Sequence, residues 1–207
     1  MTDASPLRPC ARTLVLASSS AYRRALLERL RLPFESASPD VDESRLAGET
    51  PAALVERLAA LKARALAGRF PDALIIGSDQ VAAVDGHVVG KPGDHATAAR
   101  QLALASGRTL RFHTGVAVLD SRTGRCAGRL VTCDVAFRTL SPEQIEAYLA
   151  AEQPYDCAGS FKSELLGTAL CTRITSDDPS ALVGLPLIAV VDLFADHGLD
   201  VLLPSPR

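Results

Sequence analysis

Leu14-Val15-Leu16-Ala17-Ser18-Ser19-Ser20-Ala21-Tyr22-Arg23-Arg24-Ala25-Leu26-Leu27-Glu28-Arg29-Leu30 is the stretch that decides the fold. Its apolar opening reads as a short buried strand. Three serines follow, the residue type that caps helix N-termini, and then Leu26, Leu27 and Leu30 share one helical face, with Pro33 as the expected stop. The chain therefore opens strand, serine turn, helix. Such a turn gathers hydroxyls, free backbone N–H groups and the partial positive charge of a helix start, and Arg23 and Arg24 add full charges in the first turn. That is an anion site in outline. The same residues also serve as ordinary capping with solvated arginines. The G-x-x-x-x-G-K-[ST] pattern is absent, so this is not a Walker A loop.

Outward from this unit the patterns alternate. Residues 34–41 lead to the acidic pair Asp42-Glu43. Thr50-Pro51, an N-cap with proline at the first helical position, opens an amphipathic helix whose inner face is expected to carry Leu54, Leu58, Leu61 and Ala65, ending near Gly68. Leu74-Ile75-Ile76 begins a buried strand, and Asp85-Gly86 is a hairpin turn between 81–84 and 87–89. Pro92-Gly93-Asp94 introduces an alanine-rich helix reaching Leu104. Val116 and Val118 alternate in strand fashion, and Thr123-Gly124 turns the chain. Val131, Cys133, Val135 and Phe137 then alternate with polar neighbours as a half-buried strand. Ser141-Pro142-Glu143-Gln144 is a capping box, and 186–197 reads as a last amphipathic helix. Early strand–helix alternation followed by a long antiparallel pair predicts an α/β fold with a mixed sheet flanked by helices.

Composition narrows the function classes. A chain of 207 residues, 47% hydrophobic, suits one large domain or two lobes sharing a core. A net charge of −2 and 4% aromatic residues give no electrostatic footprint or stacking platform for nucleic acid, and no attraction to an anionic membrane. No apolar run approaches the roughly 20 residues that span a bilayer. Residues 1–12 contain Pro6 and Pro9, lack a signal-peptide core and are expected to form a flexible tail, leaving 13–207 as a single domain. The five cysteines form no C-x-x-C pair, which predicts reduced thiols in a cytoplasmic protein.

Residues able to carry chemistry recur at a few places. Asp79, in Gly77-Ser78-Asp79-Gln80, is flanked by apolar residues on both sides, so it is either buried with a cation or exposed at a bend that Gly77 permits. Lys91, in Gly90-Lys91-Pro92-Gly93, is a loop lysine that the Asp85-Gly86 hairpin can return to residues 79–80. Asp40, Asp42 and Glu43 are solvated or are oxygen ligands for a divalent metal, with Lys62 on the second helix. His87, His95, His113 and His197 have no metal-ligand spacing. Ser160 is not in a G-x-S-x-G elbow, and Cys157 has no histidine partner nearby.

Three of these segments together resemble the signatures of the Maf family of nucleotide pyrophosphatases: 16–24 its opening, 77–81 followed by Gly90-Lys91-Pro92 its centre, and Asp156-Cys157-Ala158-Gly159-Ser160-Phe161-Lys162-Ser163-Glu164 its late motif. Asp177-Asp178-Pro179 and Gly184-Leu185-Pro186 extend the resemblance over nearly the whole chain after the tail. The resemblance implies a mixed twisted sheet flanked by helices, in two lobes with a cleft between them. It also implies hydrolysis of a nucleoside triphosphate to monophosphate and pyrophosphate with a divalent metal (Mg, Mn or Co), and by analogy it admits a homodimer. Asp79 matches the family's proton acceptor, and Ser18, Arg23, Glu43, Lys62 and Lys91 its polar substrate positions, with Glu43 and Asp79 available to the metal. Tyr22, Gln80 and Glu164 match the three positions that separate branches by base, and the late motif is similar to the branch acting on 7-methyl-GTP rather than on dTTP and UTP. An aromatic face such as Tyr22 attracts the positive charge of N7-methylguanine, and a carboxylate such as Glu164 accepts guanine N–H groups and opposes that charge. Two residues depart from the family: Ala21 stands where Pro is usual, and Leu165 where this branch has Gly, costly if that position has positive φ. The other class the residues admit is a non-enzymatic nucleotide-binding regulator of cell division.

Overall fold

β1 (Thr13–Ala17) lies at the centre of the parallel part of the sheet, because all but its first residue are buried. This computed structural model describes residues 12–203. β1 pairs in parallel with β2 (Glu35–Ala37) on one side and with β3 (Ala73–Val84) on the other. Beyond β3 the sheet is antiparallel: β5 (Thr109–Asp120), β6 (Cys126–Phe137) and β7 (Cys171–Ser176) follow in that order, and the short β4 (His87–Val89) folds back on β3. The architecture is the expected mixed α/β sheet with flanking helices. The Asp85-Gly86 hairpin forms as expected, both residues taking positive φ (49° and 80°) as its turn requires. β7 is a strand that the sequence pattern did not reveal, since only its first residue is buried.

Two helix readings change. α1 (Ala21–Glu28) ends at Glu28, short of Pro33, after which Arg31 adopts a left-handed conformation (φ 55°). α2 (Pro51–Ala65) starts on its Thr50 cap as expected but is rotated: Leu54, Val55, Leu58, Ala59, Lys62 and Ala63 face inward, Leu61 is half-buried and Ala65 is exposed. The cause is backbone-level contact. A Cβ on Gly77 would collide with the Ala59 carbonyl oxygen and the Ala63 nitrogen, and one on Gly115 with the Val55 carbonyl. The α2 backbone at Val55, Ala59 and Ala63 seats directly on two glycines of the sheet, which turns that side of the helix inward and leaves Leu61 at its flank. Gly77 therefore admits a helix rather than a bend.

The opposite face of the sheet carries two separate clusters. Leu14, Leu16, Leu74 and Ile76 pack with Leu26 and Leu27 of α1 and with Val190, Leu193 and Phe194 of α5 (Leu187–Asp196). Ala82, Val84, Leu110 and Phe112 pack with Ala98 and Leu102 of α3 (His95–Ala105) and with Ile145 and Leu149 of α4 (Pro142–Glu152). The two clusters are two lobes on one sheet, and Ser78 and Gln80 of β3 lie between them. No helix among the described residues is long and apolar enough to cross a membrane.

Of the expected tail, residues 1–11 lie outside the described residues, while Arg12 is anchored. Its guanidinium donates to Asp120 at 2.7 Å and lies 3.2 Å from Asp72. That bond, with the Arg122 N–H, holds the buried Asp120 carboxyl well below the usual carboxylate range against the opposing effect of burial. A depressed carboxyl contributes stability above its unfolded value, about pH 4, and loses it progressively as the pH falls toward its folded one. Asp120→Asn should therefore melt at lower temperature than the parent at pH 7, with the deficit shrinking below about pH 4 in melting curves across the acid range.

Candidate functional site

The site forms where β3 has lost one neighbour and not yet gained the next. β1 pairs with it as far as Ala17 opposite Gly77, and its pairing with β4 begins only at Ala82 opposite Val89. Among the described residues Ser78 to Val81 thus has no strand partner on that edge, and both faces of β3 open into one cleft of about 490 Å³. Ser18, Tyr22 and Arg23 enter from the end of β1 and the start of α1, and Lys62 from α2. Lys91 enters from just beyond β4, where the hairpin register sets it across from Gln80. Crevices beyond the carboxyl ends of parallel strands are the usual ligand sites of open α/β sheets.

Asp79 lies on the α2 side, 7% exposed, and Lys62, 5% exposed, donates to its Oδ1 at 2.6 Å. The same ammonium lies 2.9 Å from Glu43 Oε1. Asp79 is thus the buried, paired carboxylate rather than the exposed one. Its Oδ2 takes no hydrogen bond from the described residues. Lys62 sits in the last turn of α2, where the helix dipole favours a cation. Glu43 is brought in by its loop: Arg57 of α2 holds both carboxylate oxygens of Glu49 (2.6 and 2.9 Å) and the Ser44 carbonyl (3.0 Å). Among the described residues no group of three or more His, Cys, Asp or Glu side chains is assembled for a metal. Glu43 and Asp79 offer two hard oxygen donors converging on one ammonium.

The serine turn is both a cap and a lining. Ser20 accepts from the Arg23 N–H at 3.4 Å, and Ser18 Oγ accepts from the Ser20 N–H at 3.1 Å. α1 starts at Ala21, so a helical first turn forms without proline there. Arg23 Nε donates to the Gly184 carbonyl at 2.8 Å. Burial lowers the Arg23 pKa from its ordinary value, and the fields of Asp79 and Glu43 oppose that shift. Lys91 is exposed and makes no ion pair among the described residues, so it is a cation at the cleft mouth without a protein counter-charge.

A smaller recess of about 90 Å³ adjoins the cleft and shares Ser20, Tyr22, Arg23, Gln80, Lys91 and Asp156 with it. Its further walls include Cys157, Phe161, Glu164, Leu182, Val183 and Gly184. Tyr22, Gln80 and Glu164 are thereby brought together in a recess that Asp79 does not line. Burial, Cys157, Asp156 and Glu164 together push the Tyr22 phenol up to about 12, still further from ionisation than an ordinary tyrosine. Burial and Asp156 push the Cys157 thiol up to about 12 as well, which keeps it from acting as a nucleophile. Gln80 Nε2 donates to the carbonyls of Ala181 (2.7 Å) and Leu182 (3.2 Å) and to Thr114 Oγ1 (3.0 Å). Carbonyl acceptors fix which end of the amide is nitrogen, so Oε1 remains the free acceptor. Leu165 has φ −126°, outside the left-handed region, so its departure from glycine carries no backbone strain.

Sequence reasoning did not single out Thr114, Ser78 or the carbonyls of residues 181–184. Ser78 and Thr114 are nonetheless fully buried polar residues that tie that turn to the sheet. The signal for Ser78 was the polar interruption of an otherwise apolar strand, the same signal that marked Asp79, whereas Thr114 follows polar Arg111 and His113 and had none.

Comparison with known proteins fits this arrangement. The family model described as Maf-like protein matches residues 13–197. A 7-methyl-GTP pyrophosphatase of Polaromonas sp. is 56% identical over 205 residues, covering 95% of this chain and 94% of that protein. Proteins of the same name from Albidiferax ferrireducens (55%, covering 94% and 98%) and Thiobacillus denitrificans (54%, covering 98% of each) are similar throughout. On the extent of these matches, the chain belongs to the Maf family.

Proposed function

We infer that this protein hydrolyses 7-methyl-GTP to the monophosphate and pyrophosphate. The observation that carries the reading is one cleft with a buried, lysine-paired carboxylate (Asp79, Lys62) that continues into a recess bounded by Glu164, with Tyr22, Arg23, Gln80 and Lys91 lining both. Relatives more than half identical over almost their whole length carry that activity in their names. Triphosphate charge suits Arg23, Lys62 and Lys91. A cationic, donor-bearing base suits a neutral phenol beside carboxylates.

In this reading water attacks the α-phosphorus in line: its oxygen bonds to phosphorus, the bond to the bridging oxygen breaks, and pyrophosphate leaves. Arg23, Lys62 and Lys91 neutralise the charge that builds on the phosphate oxygens. Asp79, with Oδ1 engaged by Lys62, has Oδ2 for the water's proton or for a metal. A divalent metal (Mg, Mn or Co) fits Asp79 and Glu43, because Mg²⁺-type sites commonly use one or two carboxylates completed by substrate phosphates. When bound it would supply Lewis-acid charge neutralisation. The four described cysteines are free thiols, which supports a cytoplasmic setting. The reading also keeps residues 13–207 as one two-lobed domain and, by analogy, a homodimer.

Pyrophosphate release from a panel of canonical and methylated triphosphates with each metal tests the reaction and distinguishes it from binding alone. Glu164→Gln tests the base. Loss of a charged acceptor should lower kcat/KM for 7-methyl-GTP by about 10- to 100-fold, with a smaller change for UTP. Equal losses on every nucleotide would remove Glu164 from base reading.

A further inference from the structure

Asp178 touches neither cavity, yet it is among the most buried carboxylates of the chain at 3% exposure. Its oxygens accept from four donors: Ser180 N (3.2 Å), Ser180 Oγ (2.6 Å), Ile188 N (2.7 Å) and Ala189 N (3.3 Å). Ser180 Oγ in turn accepts from Leu187 N at 2.7 Å. One carboxylate therefore caps both the 3-10 turn Pro179–Val183 and the N-terminal end of α5, and draws the chain between them into a closed loop. Capping of α5 alone would explain the last two of those bonds. It does not explain what the closed loop does with its own carbonyls.

Those carbonyls hold two side chains that line both the cleft and the recess: Ala181 and Leu182 orient Gln80, and Gly184 orients Arg23. Ser78 Oγ, 2.9 Å from the Gly184 carbonyl, and Thr114 Oγ1, 3.0 Å from that of Ala181, pin the same loop to the sheet. Gly184 reaches its place with φ 110°, a conformation that side-chain-bearing residues rarely adopt, so the loop's shape is specified locally as well.

We propose that Asp178 is a positioning residue: by closing this loop it fixes the spacing between the phosphate-contacting Arg23 and the base-contacting Gln80. The assignment of those two contacts rests on the function proposed above, whereas the hydrogen bonds do not. In Asp178→Asn one of the two oxygens becomes an NH₂ group that must face N–H donors, so the loop opens while a side chain of equal size stays in place.

The test has two readouts. In the nucleotide-free protein, the Arg23 Nε–H and Gln80 side-chain amide resonances, assigned by Arg23→Lys and Gln80→Glu, should shift and exchange faster in Asp178→Asn. In kinetics well below its melting temperature, KM for 7-methyl-GTP should rise about tenfold and the preference over GTP should fall, with kcat changing less. Unmoved resonances, or a lowered melting temperature with KM and preference both intact, would reduce Asp178 to a helix cap and overturn the proposal. Moved resonances with a parent protein inert on every triphosphate would uphold the positioning and overturn the proposed function instead. If Asp178→Asn does not fold, Ser180→Ala removes two of the same loop-closing bonds and is read in the same way.

Discussion

Asp79→Asn is expected to lower kcat for pyrophosphate release by about 10³-fold, in the range that a positioned proton acceptor contributes. The fold should survive. The asparagine Oδ1 can still accept from Lys62 at the position where Asp79 Oδ1 now does, at 2.6 Å. No cavity opens, because the side chains are nearly equal in size. What disappears is the negative charge that faces the cleft through Oδ2, and with it both a proton acceptor and a metal ligand. Steady-state kinetics beside a melting curve separate the two effects. An unchanged melting temperature with activity near that of the parent would exclude Asp79 from the reaction. Lys62→Met is a useful contrast. It strips the cation from a buried carboxylate, so it should cost stability, roughly 3 kcal/mol or more, as well as turnover.

The second large effect lies two residues away on the same strand, at Gly77→Ala. The added methyl would stand inside contact distance of the Ala59 carbonyl and the Ala63 nitrogen, both backbone atoms of α2. Backbone cannot swing aside as a side-chain tip can, so the whole helix must lift. Overpacking of this kind costs about 1–3 kcal/mol. For a chain of this size, that is a fall of several degrees in melting temperature. α2 also carries Lys62 and Arg57, so its displacement should misplace both the Asp79 partner and the loop bearing Glu43. A shift of about 1 Å can reduce turnover about 10²-fold. Differential scanning calorimetry with activity at 25 °C measures both. An alanine variant as stable and active as the parent would mean that α2 does not set the site.

Much of this was legible in the chain before its coordinates. The strand–serine–helix opening, the Thr50 and Ser141 caps and the Asp85-Gly86 hairpin each depend on neighbours close in sequence, and each formed as read. The rotation of α2 was not legible. It follows from two glycines, 77 and 115, on different strands, which meet the helix only in the folded sheet. A leucine pattern alone cannot weigh a small-residue face against a large one. β7 escaped for a similar reason: one buried residue in six gives no alternation, and its pairing with β6 is what makes it a strand. Among the candidate residues, Ser18, Tyr22, Arg23, Glu43, Lys62, Asp79, Gln80 and Lys91 line one cleft, and Glu164 the adjoining recess. The carbonyls that orient Arg23 and Gln80 could not be read, since every residue has a carbonyl and only the fold decides where it points.

The unpartnered interval at Ser78 to Val81 has a mechanical consequence. β3 runs unbroken through it, carrying one helical cluster before the interval and the other after it. On its other edge the same span is paired throughout with β5, from Ser78 opposite Val116 to Val81 opposite His113, so both lobes hang on one continuous ladder and Asp79 is held in it between them. The site is thus a notch cut into one edge of an unbroken sheet: the ladder fixes its floor, and the start of α1, α2 and the hairpin after β4 supply its walls.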